Sequence, residues 1–169
     1  GFAEMQVVSF ADLYAGKIVA ALDRQHPRDL FDVRDLLAHE GISDELRRAF
    51  LVYLISHNRP MAEVLAPTRK PLAEEFARGF VGMTQEPIAL AELEAARETI
   101  IAAMVTDMPD AHRHFVVGFK RGEPDWELLG IPEAQHLPAV LWKQRNLERL
   151  PADKRRELTA VLEKLLFTC

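Results

Sequence analysis

The chain has 169 residues, of which 49% are hydrophobic and 28% charged, so it can form one domain or two small ones and disorder is disfavoured. Its formal net charge of −5 argues against a general basic coat for nucleic acid, although a local basic pocket is compatible with it. With Cys169 as the only cysteine and no apolar run near the roughly 20 residues that cross a membrane, the composition predicts a soluble, cytoplasmic protein without internal disulfides.

The first predicted element is a short strand over residues 4–9, where Val7 and Val8 are β-branched. A strand needs partner strands, and no comparable segment follows it in the sequence. The chain also starts at Gly1 without an initiator methionine. Two interpretations are open: a tag remnant before an ordinary N-terminus, or the C-terminal portion of a longer protein.

Helical periodicity and helix-start signals then predict about seven helices. Ser9 is a candidate N-cap for a helix over residues 10–24, and Pro27 suits the first turn of a helix over residues 28–39. Further helices are predicted over residues 43–57, 87–107, 109–119, 138–150 and 151–166. A less regular helical segment, interrupted by glycines, is predicted over residues 72–82, and residues 59–71 are predicted as a surface connection with one turn around residues 61–65. The expected fold is mainly α, a bundle-like domain of several helices with a short N-terminal strand.

Charged residues of both signs concentrate against core positions at the corner between the first two helices. Lys17 and Arg24 are seven residues apart, nearly two turns, so they project from the same side of the first helix. Asp29 and Asp32 lie one turn apart at the start of the second helix, beside Arg28. We interpret this corner as one wall of a phosphate-handling site.

Each residue of this corner also has an ordinary structural interpretation. Lys17 can deliver a point charge to a triphosphate, or it can extend from the edge of the core into water. Asp29 and Asp32 can hold a metal or accept a proton, or they can favour the helix dipole while Arg28 pairs with Asp32. The combination of these residues, rather than any one of them, favours the functional interpretation.

The rest of the sequence offers no second chemical motif. The six histidines lack metal-ligand spacing, and there is no glycine-rich phosphate loop or nucleophile elbow. Trp126 and Trp142 are expected in the core rather than on a base-stacking surface.

Three short segments carry a resemblance to a known family: DLYAGK at residues 12–17, AALDR at 20–24 and PRDLFD at 27–32. Together they resemble the lysine-containing motif of AbiEii-type nucleotidyltransferases, the toxins of abortive-infection toxin–antitoxin pairs. LPAVLWK at residues 137–143 also resembles the C-terminal region of such proteins.

The resemblance implies a fold related to polymerase β-like nucleotidyltransferases. Residues 1–40 would be the end of the nucleotidyltransferase core, and residues 41–169 a C-terminal helical domain. The implied reaction transfers a nucleotide from an NTP, with Mg²⁺, to an acceptor such as the 3′ end of tRNA. A cognate antitoxin is the implied protein partner.

The resemblance also implies roles for five residues. Lys17 would contact the nucleotide phosphates with help from Arg24, Asp29 or Asp32 would orient Lys17 or act as general base, and Arg28 would brace the carboxylates. The family's Gly-Ser turn and paired-aspartate metal motif are absent from the sequence. We therefore expect an incomplete, inactive chain that holds no metal or nucleotide tightly.

Two other classes of function stay open from the sequence. The helices can form an interaction module that binds the antitoxin or an RNA. Alternatively, they can form a purely structural domain in which the charged corner only holds two helices together.

Overall fold

The computed structural model describes residues 9–84 and 87–168, and this part of the chain is helical and contains no strand. Its ten α-helices are α1 (Phe10–Arg24), α2 (Pro27–His39), α3 (Asp44–Ser56), α4 (Met61–Leu65), α5 (Ala73–Glu75), α6 (Leu90–Ile101), α7 (Asp110–Arg121), α8 (Trp126–Leu129), α9 (Pro138–Arg149) and α10 (Ala152–Phe167). π-Helical turns at Phe76–Phe80 and Ala102–Thr106 continue α5 and α6, and a 3₁₀ turn spans Pro132–His136. The predicted mainly α fold is confirmed.

The ends of the first helices follow from their capping residues. The Ser9 hydroxyl accepts a hydrogen bond from the Asp12 amide at 3.1 Å and caps α1. Ser43 caps α3 in the same way, and Pro27 occupies the first turn of α2, where its missing N–H costs no hydrogen bond. The predicted strand over residues 4–9 lies, apart from Ser9, outside the described residues.

Three details of the sequence prediction are wrong. The helix predicted from residue 87 begins at Leu90. The turn predicted within the connection over residues 59–71 is present as α4, but the connection is not confined to the surface, because α4 buries Met61 and Val64 in the core. Trp142, expected in the core, is 53% exposed on α9, whereas Trp126 packs partly buried against the rings of α7.

The hydrophobic core is built around α1. Ala15, Ile18 and Ala21 are fully buried, and their small or medium side chains allow neighbouring helices to approach α1 closely. Gly16 illustrates this approach, since a Cβ atom there would lie 3.4 Å from the Tyr53 ring of α3. The core therefore fixes the position of α1, and with it the charged side chains that α1 carries on its outer face.

The described helices share one hydrophobic core. α1 packs against α2, α3 and α4, α2 packs against α6, and α7 packs against α10. The domain boundary predicted after residue 40 falls between α1 and α3, which pack against each other. The division into two domains stays a prediction. Within the described residues, no helix combines the length and apolar character needed to cross a membrane.

Candidate functional site

The corner between α1 and α2 is a tight turn of two residues. Gln25 adopts a left-handed conformation with φ of 54°, and its N–H donates to the carbonyl of Ala21 at 3.0 Å, which ends α1. His26 then caps α2, its Nδ1 accepting from the amide of Arg28 at 3.3 Å. This geometry folds α2 back against α1, so that the outer face of α1 meets the first turns of α2.

Two ion pairs cross between the helices at this corner. The Lys17 ammonium donates to Asp32 Oδ2 at 3.2 Å, and the Arg24 guanidinium donates to Asp29 Oδ2 at 3.0 Å. Neither pair is sealed in the core, since the Lys17 and Asp32 side chains are 36% and 34% exposed. The structure thus brings together four of the five residues singled out from the sequence, on a half-exposed edge that solutes can reach.

The fifth residue, Arg28, is placed differently. Its side chain is exposed and has no hydrogen bond or ion pair with the described residues. The Arg28–Asp32 pair considered from the sequence is not formed, because Asp32 is engaged by Lys17 across the corner. Arg28 therefore does not brace the carboxylates here, and its guanidinium is available to an anion.

The charge balance of the corner suits a phosphate better than a metal ion. Lys17, Arg24 and Arg28 against Asp29 and Asp32 leave one net positive charge, at the edge of a chain whose formal net charge is −5. Both carboxylates already accept from cations. Across residues 9–84 and 87–168, no group of three or more histidine, cysteine, aspartate or glutamate side chains is placed to hold a metal.

Gln25, in the turn between α1 and α2, is the centre of a buried polar network that the sequence analysis missed. Gln25 is 2% exposed. Its Nε2 donates to the carbonyl of Thr68 at 2.8 Å, while its Oε1 accepts from the Lys70 amide at 3.0 Å and from Arg97 at 2.9 Å. The partners are 43 to 72 residues away along the chain, so helical periodicity carries no signal for them.

The segment around Lys70 completes this support. The Lys70 ammonium lies 3.3 and 3.4 Å from the carbonyls of Asp23 and Arg24, where a cation is favoured at the C-terminal end of α1. Next to it, Arg69 forms a two-pronged ion pair with Glu98 on α6. The hydrogen bond from Arg69 holds the pKa of Glu98 below its ordinary value.

Lys143, within the second segment of family resemblance, has a structural role. It is buried, and its ammonium donates to the carbonyls of His57 and Arg59 at 2.6 and 3.1 Å, just after the end of α3. Burial, with a smaller contribution from the charge of Lys120, lowers the pKa of Lys143 to about 8. His57 in turn contacts Asp23 of α1 at 3.3 Å. Lys143 therefore stabilises the segment after α3 that contacts the C-terminal part of α1.

Comparison with known proteins defines the class of molecule. Residues 1–145 match a family of nucleotidyltransferase toxins, described as "Nucleotidyl transferase AbiEii toxin, Type IV TA system". The match covers most of the chain, which therefore belongs to the AbiEii family of type IV toxin–antitoxin systems. Membership implies a cognate antitoxin. Searches of curated proteins and of solved structures find no match.

Proposed function

We propose that the corner between α1 and α2 binds the triphosphate of an NTP whose nucleotide is transferred to an acceptor, the 3′ end of tRNA. In this reaction an acceptor hydroxyl attacks the α-phosphorus and pyrophosphate leaves. Lys17 and Arg24 bind the phosphate oxygens, and Arg28 adds a third cation at the rim. Because NTPs and tRNA meet there, the site of action is the cytoplasm.

The observation that carries this proposal is that two ion pairs join α1 to α2: Lys17 with Asp32 and Arg24 with Asp29. A lysine ammonium on a flexible stem is a weak binder until a neighbouring group orients it. Asp32 lies at the right distance to orient Lys17, and Asp29 does the same for Arg24. We assign both carboxylates to positioning, with proton removal from the acceptor hydroxyl as the second role that either can take.

The described residues do not by themselves fit a Mg²⁺ site. Magnesium binds through carboxylate and phosphate oxygens, yet Asp29 and Asp32 are each occupied by a cation. We propose that other residues of the complete enzyme supply the metal carboxylates. The chain as given is then inactive in transfer, although its cations still attract phosphate.

The test is nucleotide transfer by the complete enzyme, measured as incorporation of labelled nucleotide into tRNA. We expect Lys17→Ala to lower the transfer rate at least about tenfold, because the variant has no ammonium to stabilise the transferring phosphates. Lys154→Ala is the matched control, since Lys154 is an exposed lysine of α10 whose ion pair within the described residues is with Glu157. A Lys17→Ala enzyme that transfers as fast as the Lys154→Ala enzyme would refute the assignment.

A second candidate is a structural role for the same contacts. It is favoured by the fact that Lys17 and Arg24 already have carboxylate partners that link α1 to α2. The two roles differ in the free energy of unfolding, because an ion pair with a structural role must contribute measurably to it. The third possibility is a helical module that binds the antitoxin or an RNA. It predicts that Lys17→Ala leaves the affinity for that partner unchanged.

A further inference from the structure

A long groove runs between α7 and α10, away from the charged corner. It consists of two adjoining hollows of about 500 and 460 Å³, which share Arg121, Ala160 and Glu163 in their walls. Ala160 contributes only a methyl group, so a ligand can approach the α10 backbone closely. The family match ends at residue 145, so α10 lies beyond the matched residues.

The groove concentrates positive charge on an acidic chain. Its lining contains four cations and two carboxylates, which leaves two net positive charges: Arg121, Arg155, Arg156 and Lys164 against Glu123 and Glu163. Arg121 is paired with Glu163 at 2.8 Å. The side chains of Arg155, Arg156 and Lys164, by contrast, form no ion pair or hydrogen bond with the described residues.

The spacing of these cations suits an extended polyanion. Arg156, Ala160 and Lys164 recur every four residues and so form one stripe along α10. Arg156 and Lys164 are separated by about 12 Å along the helix axis, at 1.5 Å per residue. They can therefore contact different phosphates of one strand, with the small Ala160 between them.

One end of the groove carries an aromatic surface. Phe167 is 43% exposed and stands beside the His114 ring, with 4.8 Å between ring centroids. A large apolar ring that stays open to solvent beside cations is a typical surface for stacking a nucleic-acid base. An acidic peptide would use the cations but would have no need for the ring.

We propose that the α7–α10 groove binds a single strand of RNA, with phosphates against Arg155, Arg156 and Lys164 and a base stacked on Phe167. This proposal rests on the proposed function, because the strand in the groove is an unpaired segment of the RNA that accepts the nucleotide. Binding at the groove requires no nucleotide and no residue of the α1–α2 corner.

The experiment measures the affinity of this chain for a fluorescent single-stranded RNA 12-mer by anisotropy, over a range of salt and without NTP. We expect Arg156→Ala/Lys164→Ala to weaken binding about tenfold. The slope of log K against log salt should become shallower by about 0.7 for each phosphate that the variant no longer neutralises. Phe167→Leu, which keeps apolar bulk but removes the aromatic face, is expected to weaken binding several-fold.

The matched control is Arg145→Ala/Arg149→Ala on α9, which removes two exposed cations with no ion pair within the described residues. It should bind RNA within about twofold of the unmodified chain. An equal weakening in the control would mean that only net charge matters, and either that result or unchanged binding by Arg156→Ala/Lys164→Ala would overturn the proposal. Lys17→Ala should bind RNA normally, so failure of the groove is distinguishable from failure of the nucleotide site.

Discussion

At the residue scale, the Lys17–Asp32 pair can serve either the stability of the fold or the binding of a ligand. Exposed or half-exposed ion pairs contribute little to folding, because water and salt screen them and two long side chains must be ordered. The Lys17–Asp32 pair is about one-third exposed. We therefore propose that Asp32 orients Lys17, since the hydrophobic core already holds α1 against α2.

A substitution at Asp32 separates these roles. We expect Asp32→Asn to lower the free energy of unfolding by less than about 1 kcal/mol in urea denaturation, because the Lys17–Asp32 pair is screened by solvent. Glu74→Gln, which removes an exposed partner of Arg78, serves as the control. A decrease of about 3 kcal/mol for Asp32→Asn would instead assign the pair to the structure of the corner.

At the element scale, the end of α3 is supported by a buried cation. The unpaired carbonyls after the last turn of a helix favour positive charge, and Lys143 of α9 supplies it to His57 and Arg59. The same burial disfavours the ammonium form, as the lowered pKa records. Lys120 of α7 is also buried, and burial lowers its pKa as well.

These lysines make stability depend on pH in a definite direction. The folded-state pKa of Lys143 is about 8, whereas an unfolded lysine titrates near about 10.4. Between these values the unfolded state binds more protons, so the free energy of unfolding should rise by about 1–2 kcal/mol from pH 8 to 9.5. Lys143→Met should flatten this rise in urea denaturation and Lys154→Met should keep it. Equal slopes for all three proteins would show that Lys143 does not titrate as described.

Sequence patterns predicted the elements that depend on neighbouring residues and missed those that depend on distant ones. Ser9 and Pro27 mark helix starts locally, and the spacing of Lys17 from Arg24 puts both on one face. The π-helical turn at Ala102–Thr106 has no such signal, and its Ala103 carbonyl accepts a hydrogen bond from Arg47, which lies 56 residues earlier in the chain. The buried network of Gln25 was missed for the same reason, and the exposure of Trp142 depends on which helices cover α9.

At the scale of the whole molecule, an acidic chain keeps two cationic regions on one helical core. The first is the α1–α2 corner, where Lys17 and Arg24 are paired with carboxylates. The second is the α7–α10 groove, where three cations lack such partners within the described residues. The proposed reaction joins a nucleotide to an RNA and needs a binding site for each. We propose that the paired cations of the corner suit a compact triphosphate and that the unpaired cations of the groove suit an extended strand.

The most direct test of the central claim is an NMR titration of inorganic triphosphate into this chain, observing lysine side chains labelled with ¹³C at Cε. The signal of Lys17, assigned with the Lys17→Ala variant, should shift in a saturable manner, and the signal of Lys154 should not. A Lys17 signal that stays in place, or that moves no more than that of Lys154, would contradict a phosphate site at the corner of α1 and α2.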